Sequence, residues 1–159
     1  MIDDTAERAT AASEPALRLE DFLPYRLNVC SNLVSSALSR IYAERYRIGV
    51  PEWRVLVTLG QFGMMTAKAI GAHSCMHKTK VSRAVAELER RRWLTRTPDE
   101  SDRRVEHLAL TKAGLAAYRE MVPLAKAFER QLLERLSHQE RAAIVSGVAA
   151  LEGALEGKC

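Results

Sequence analysis

Basic side chains are concentrated in one short stretch of this 159-residue chain. Residues 78–96 contain seven Lys and Arg against two Glu, whereas the whole chain has a formal net charge of only +4. Lys and Arg neutralise DNA phosphates, and Arg also makes two-point contacts with guanine. The stretch therefore predicts a surface that binds nucleic acid.

These basic residues fall on a predicted amphipathic helix that runs from about residue 77 to residue 92. One side has the i, i+3, i+4, i+7 spacing of a packed face: Val81, Ala84, Val85 and Leu88. The other side carries Thr79, Lys80, Ser82, Arg83, Ala86 and Arg90. A charged helix face is often only solvated, but these residue types also suit a major groove.

A second basic group follows in a predicted β-hairpin. Residues 94–97 and 105–110 have the character of short strands, and residues 98–102 form a polar turn between them. Arg103 and Arg104 come directly after Asp102. An arginine at the tip of such a wing can enter the narrow minor groove of DNA, so the hairpin favours DNA binding over simple solvation.

The remaining elements are predicted to be helices. A first helix covers residues 21–46 and ends at Gly49, and a second starts at Pro51 and ends before Gly63. Thr66 caps a helix over residues 67–72, and a turn at residues 73–76 leads into the basic helix, which makes a helix-turn-helix.

Two more helices follow the hairpin. Thr111 caps a long helix with a kink at Pro123, and Ser137 and Glu140 form the capping box of the last helix. No strand-helix-strand unit is present that would build a parallel sheet, which argues against a nucleotide-binding enzyme. The predicted fold is mainly α, a winged helix-turn-helix with about six helices and a two-stranded β-wing.

The predicted organisation is a flexible lead over residues 1–19 and a single domain over residues 20–156. Within the domain, residues 51–110 form the DNA-binding part, and residues 20–48 and 112–156 form dimerisation helices. Their apolar seams are larger than isolated helices could bury. We therefore expect a homodimer.

The segment KTKVSRAVAELERRRWLTRTPDESDRRVEHLALTKAG resembles the MarR family of winged-helix regulators, and FLPYRL and PEWRVL resemble the first two helices of that family. The resemblance implies a sequence-specific DNA-binding regulator, most simply a repressor on a pseudo-palindromic operator. Its implied DNA contacts are Thr66, Lys78, Thr79, Lys80, Ser82, Arg83, Asp102, Arg103 and Arg104. Asp102 would orient a wing arginine. His77 stands where many relatives have Asp or Ser as the helix cap, and we expect it to contact a phosphate instead.

The family resemblance also implies release from DNA by a small aromatic or anionic effector. The segments FLPYRL and PEWRVL resemble members that respond to aromatic acids or their coenzyme A thioesters. Polar and aromatic residues on the first two helices, together with Arg96, could hold such a ligand. The candidates are Tyr25, Arg26, Asn28, Asn32, Arg40, Trp53, Arg54 and Arg96. Taken singly, each is equally well explained as a surface or core residue.

Three widely spaced cysteines, Cys30, Cys75 and Cys159, are more typical of a reducing cytoplasm than of a disulfide framework, and the predicted location is cytoplasmic. A redox sensor is one alternative, although Cys30 falls on the apolar seam and Cys75 is most simply a chance surface residue. A winged-helix protein without a ligand is another. The sequence predicts no metal, no cofactor, no membrane span and no enzyme site.

Overall fold

The computed structural model describes residues 17–155, so most of the predicted lead lies outside the described residues. The described helices are α1 (Leu23–Tyr46), α2 (Val50–Phe62), α3 (Ala67–Ser74), α4 (Lys78–Arg90), α5 (Lys112–Glu134) and α6 (His138–Ala154). The strands are β1 (Met65–Thr66), β2 (Leu94–Pro98) and β3 (Glu106–Leu110). This order confirms the predicted winged helix-turn-helix. Within these residues, no helix is both long enough and apolar enough to cross a membrane.

The chain divides into two compact units, Met1–Val34 and Ser35–Cys159. The described part of the first unit contains the beginning of α1, whose side chains are exposed. The second unit contains the end of α1 and every other described element, including the helix-turn-helix α3–α4 and the wing β2–β3.

Side-chain caps fix the starts of several helices. The hydroxyl of Thr66 accepts a hydrogen bond from the Ala69 N–H, and Ser137 and Glu140 form the predicted capping box of α6. The Thr111 hydroxyl accepts from the Gly114 N–H at 3.1 Å. Such caps satisfy N–H groups that have no partner within the first helical turn.

The end of α1 differs from the prediction. Arg47, not Gly49, adopts the left-handed conformation, with φ at 50°, and Gly49 instead caps α2 by donating its N–H to Glu52 at 2.8 Å. The carbonyl groups of Tyr46 and Arg47 accept hydrogen bonds from the Arg91 guanidinium. These bonds stabilise the left-handed turn at Arg47. The helix therefore turns earlier than glycine placement suggests.

The basic helix α4 is shorter than predicted and α3 is longer. Arg92 is left-handed with φ at 59°, which ends α4 at Arg90. Cys75, with φ at 48°, caps α3, so the turn between the two helices is tighter than residues 73–76. Pro123 lies within a single uninterrupted helix α5.

One core unites α2, α3, α4 and the wing in the second unit. Each of these four elements contributes a side chain that is at most 1% exposed, for example Leu56, Ile70, Leu88 and Leu108. Strands β2 and β3 form the predicted two-stranded wing, and β1, which was not predicted, extends it to a three-stranded antiparallel sheet in the order β1-β3-β2. Strand β1 has only two residues, too short for an alternating pattern to be recognised.

Candidate DNA interface

Helix α4 divides into a buried and an exposed side as the wheel predicts. Val81, Ala84, Val85 and Leu88 are each at most 1% exposed. The exposed side chains include Lys78, Thr79, Lys80, Ser82 and Arg83. The buried side holds the helix on the core, so the polar side is presented to solvent at a fixed orientation.

The basic residues near the end of α4 are neutralised by acidic neighbours. Glu87 accepts hydrogen bonds from both Arg90 (2.7 and 2.8 Å) and Arg91 (2.6 Å). These bonds lower the pKa of the Glu87 carboxyl to about 2. Arg96 is bound by Glu89 at 3.0 Å and Glu106 at 2.8 Å. Three of the cations in the basic stretch are therefore committed to intramolecular ion pairs.

The cations predicted to touch DNA form a different group. Across residues 17–155, no side chain pairs with Lys78, Lys80, Arg83, Arg103 or Arg104. All five are exposed. An unpaired cation needs no ion pair to be broken before it can approach a phosphate or a base edge. The structure thus separates two kinds of basic residue that the sequence alone treats as one cluster.

His77 caps the start of α4, where many relatives are expected to have Asp or Ser. Its side chain makes no capping hydrogen bond, while its carbonyl accepts from the Lys80 and Val81 N–H groups. The first-turn N–H groups of a helix attract anions. A phosphate contact by His77 stays a prediction.

The wing turn is organised by Asp99, which the sequence analysis did not single out. One carboxylate oxygen accepts hydrogen bonds from the Ser101 N–H and hydroxyl and from the Asp102 N–H at 3.0 Å; the other lies 2.8 Å from Nε2 of His107. These bonds lower the pKa of Asp99, with the Ser101 hydroxyl as the largest cause and His107 next. The sequence signal for such a turn is an Asp directly after a strand, followed closely by Ser and a second Asp.

Asp102 acts differently from the prediction. Its carboxylate accepts a hydrogen bond from the backbone N–H of Arg104 at 3.0 Å, so it shapes the main chain below the arginine. Thr66, also predicted at the interface, is half-buried and uses its hydroxyl oxygen to cap α3.

A cavity of about 450 Å³ lies beside the candidate interface, between α3, α4 and β2. Its lining combines apolar side chains with three cations, and consists of Ala67, Lys68, Gly71, Ala72, Met76, Lys78, Val81, Ser82, Val85 and Arg96. Lys78 and Ser82 thus belong both to the cavity and to the exposed side of α4. An apolar pocket with a few basic groups suits a small ligand with an anionic group.

Of the residues predicted to hold an effector, Arg96 lines this cavity. Four others lie on exposed turns of α1: Tyr25, Arg26, Asn28 and Asn32. Arg40 is exposed in the last third of α1, and Arg54 is half-buried on α2. Trp53 stacks on Tyr42, with ring centroids 5.1 Å apart and planes at 11°, which is a core contact.

Two cysteines differ from the sequence-based expectation. Cys30 is a free, exposed thiol rather than a buried member of the seam. Cys75, which caps α3 directly before the basic helix, is disulfide-bonded and not a free thiol. The apolar side of α1 that carries Cys30 is exposed in the single chain, because helical periodicity identifies the apolar side of a helix but not what covers it.

Comparison with known proteins agrees with this geometry. Residues 48–105 match the model of the MarR family. A stretch of 119 residues is 29% identical to the HTH-type transcriptional regulator PecS of Dickeya dadantii (strain 3937), covering 72% of this chain and 70% of PecS.

Two solved structures share the fold. Bordetella bronchiseptica BpsR, whose DNA binding is regulated by 6-hydroxynicotinic acid, superposes with a TM-score of 0.76 at 20% identity, covering 87% of this chain and 98% of BpsR. S. aureus MepR, solved as a DNA complex, gives a TM-score of 0.73 at 20% identity, covering 84% and 98% of the two chains.

The helix-turn-helix and its wing, with their exposed basic side chains, define a winged helix-turn-helix DNA-binding protein. Residues 48–105 match the MarR family of transcriptional regulators, and the chain is similar to that family over this part of the fold.

Proposed function

We propose that this regulator binds a pseudo-palindromic operator as a homodimer and is a repressor released by a small anionic effector. The observation that carries the DNA-binding part is the group of five unpaired, exposed cations on α4 and the wing: Lys78, Lys80, Arg83, Arg103 and Arg104. Thr79 and Ser82 lie among them on the exposed side of α4 and can reach base edges.

Arg83 and Arg90 provide a matched test of the interface. Both are exposed arginines on α4, but Arg90 is held by Glu87 and Arg83 is unpaired. Arg83→Ala is expected to lower specific affinity by about 1 to 3 kcal/mol and to relax base preference at one position per half-site. Arg90→Ala removes the same charge and is expected to change affinity much less. Equal losses for the two variants, measured by fluorescence anisotropy at several salt concentrations, would contradict the assignment.

The homodimer is proposed from apolar side chains that each end of the chain leaves exposed. In the first unit, Leu23 and Leu33 on α1 are 52% and 66% exposed. In the second unit, α6 has no buried residue, and Val145 and Val148 are 65% and 47% exposed. Soluble monomers rarely expose so much apolar surface on regular elements. Sedimentation as a monomer at micromolar concentration would overturn the homodimer and, with it, the two-fold symmetric operator.

The cavity between α3, α4 and β2 is the proposed effector site. It brings Lys68, Lys78 and Arg96 to an apolar lining, and the fold-related BpsR is regulated by a small aromatic acid. Because Lys78 and Ser82 line the cavity and also belong to the proposed DNA surface, a bound anion would compete with DNA for the same groups. Binding of one would then weaken binding of the other.

The effector proposal is tested by thermal stabilisation with benzoate, 6-hydroxynicotinate and benzoyl coenzyme A. If the cavity is the site, Lys68→Ala, which removes an exposed cation of its lining, reduces the stabilisation, whereas Arg40→Ala, on α1, retains it. The opposite result would favour the site predicted on the first two helices. No stabilisation by any probe, together with normal operator binding, would favour a winged-helix protein without a ligand of this class.

Redox control is a second candidate, favoured by the disulfide of Cys75 at the cap between α3 and α4. Its reduction would release a constraint at the turn that positions the proposed recognition helix. Operator affinity is then expected to differ between peroxide-treated and dithiothreitol-treated protein, and Cys75→Ser is expected to abolish the difference. Identical affinities of the wild type under both conditions would rule out this mode of control.

A further inference from the structure

The wing tip is tied to the sheet by a contact that spans the turn. Asp99 follows β2 directly, and His107 is the second residue of β3. Their side chains meet at 2.8 Å between the Asp99 carboxylate and Nε2 of His107, and both are less than one-third exposed. The backbone adds a second closure, in which the Asp99 N–H donates to the Val105 carbonyl at 2.9 Å.

The same aspartate organises the residues that lead to the arginines. Its other carboxylate oxygen accepts from Ser101 and Asp102, and the Val105 N–H donates to the Asp102 carbonyl at 2.8 Å. Asp102 in turn accepts from the Arg104 N–H. These hydrogen bonds therefore fix the main chain of residues 99–105, and they include the residues directly before and after Arg103 and Arg104.

His107 extends this connection into the helix-turn-helix. In the three-stranded sheet it stands opposite Thr97 of β2 and opposite Thr66 of β1. Thr66 is the residue that caps α3. His107 thus contacts the wing tip through its side chain and lies, by its place in the sheet, in the same row as the residue that caps the first helix of the helix-turn-helix.

We propose that Asp99 and His107 are positioning residues that hold the wing tip in the conformation presenting Arg103 and Arg104 to DNA. Neither residue needs to touch DNA for this role. The inference rests on the proposed function in one respect, since it requires the two wing arginines to contact DNA. A tip without the anchor samples many conformations, and binding must then order it at an entropic cost.

Losing a negative charge and losing the anchor are expected to change DNA affinity in opposite directions, which provides a test. Replacing an anion near a DNA-binding surface removes repulsion and, by electrostatics alone, strengthens binding. Glu100 is an exposed acidic neighbour in the same turn and has no hydrogen bond or ion pair among the described residues. Asp99→Ala is expected to weaken DNA binding about 5-fold or more despite the lost negative charge. Glu100→Ala is expected to leave affinity unchanged or to raise it.

The probe is a labelled DNA duplex selected by the wild-type protein from a random library, with affinity measured by anisotropy at fixed salt. His107→Gln is expected to weaken binding in the same direction as Asp99→Ala. Thermal unfolding identifies variants whose folding is damaged, and a double-mutant cycle separates positioning from general damage. In an R103A/R104A background, Asp99→Ala should not weaken binding further.

The outcomes are distinguishable. If R103A/R104A binds as tightly as the wild type, the wing part of the proposed function fails. If R103A/R104A weakens binding but Asp99→Ala binds as well as Glu100→Ala, the positioning role alone is overturned. If the losses in the cycle are additive, the positioning role is also overturned, because Asp99 would then affect affinity independently of the two wing arginines.

Discussion

A methyl group added at Gly114 tests the junction between the wing and α5. Gly114 is buried in the first turn of α5, where its N–H meets the Thr111 cap. A Cβ built on it would lie well inside van der Waals contact with the Trp93 carbonyl oxygen and 2.9 Å from the carbonyl carbon. The obstacle is main chain, so no side-chain rotation can relieve it.

The Trp93 peptide has little freedom to move away. Its N–H donates to the Leu88 carbonyl at 2.9 Å and its carbonyl accepts from the Thr111 N–H at 3.0 Å. The neighbouring Arg92 carbonyl accepts the Thr111 hydroxyl at 2.7 Å. Gly114→Ala must therefore displace α5 or stretch several hydrogen bonds. Overpacking typically costs about 1 to 3 kcal/mol, and we expect the upper part of that range, with a fall in Tm of roughly 6–12 °C for a chain of this size.

Gly147 is the matched control. It lies within α6, and a Cβ there has no atom within 4 Å. Gly147→Ala is expected to stabilise the protein by up to about 1 kcal/mol because alanine is the better helix former. Both variants are compared by thermal and urea unfolding at one protomer concentration, since the proposed dimerisation would make Tm depend on concentration. If Gly114→Ala is as stable as the wild type, the argument that the Trp93 peptide and the first turn of α5 cannot move apart is refuted.

Three further predictions concern the helices. Pro123→Ala is expected to raise stability, by about 3 kcal/mol at most, since the exposed proline withholds a hydrogen bond from the interior of α5; an unchanged urea midpoint would show that α5 has already adjusted to it. Leu88→Ala, at a fully buried site, is expected to cost about 2 to 5 kcal/mol, measured by the same unfolding. Because Glu87 has its pKa lowered from 4.5 to about 2, its stabilising effect is present above pH 4.5 and lost as the pH falls toward 2. The stability difference between wild type and Glu87→Gln should therefore shrink over that interval, and a constant difference would contradict the ion pairs seen at Arg90 and Arg91.

Sequence periodicity predicted the elements whose signal lies within one helix. The buried side of α4 and the caps at Thr66, Thr111 and Ser137 were recovered because each depends on residues three or four positions apart. Element ends were less predictable. Arg47 and Arg92 are left-handed although glycine is the usual choice, and for Arg47 the cause is a contact from Arg91, more than forty residues away in the sequence.

The site shows the same division between local and long-range information. Composition located the basic stretch, but only the fold shows that Arg90, Arg91 and Arg96 are paired while Lys80 and Arg83 are not. The cavity was missed for a similar reason. Its lining comes from α3, α4 and β2 together, whereas the sequence-based candidates, apart from Arg96, lie on the first two helices.

The Arg91 guanidinium serves acceptors on two parts of the fold at once. It bonds to Glu87 within α4 and to the carbonyls of Tyr46 and Arg47 at the end of α1, with the Trp93 ring 5.6 Å away. Because the guanidinium is flat and rigid, a rotation of α4 that improves one bond strains the others. The Arg91 guanidinium therefore connects the end of α1 directly to the basic helix, and a displacement of that end of α1 is expected to change the orientation of α4.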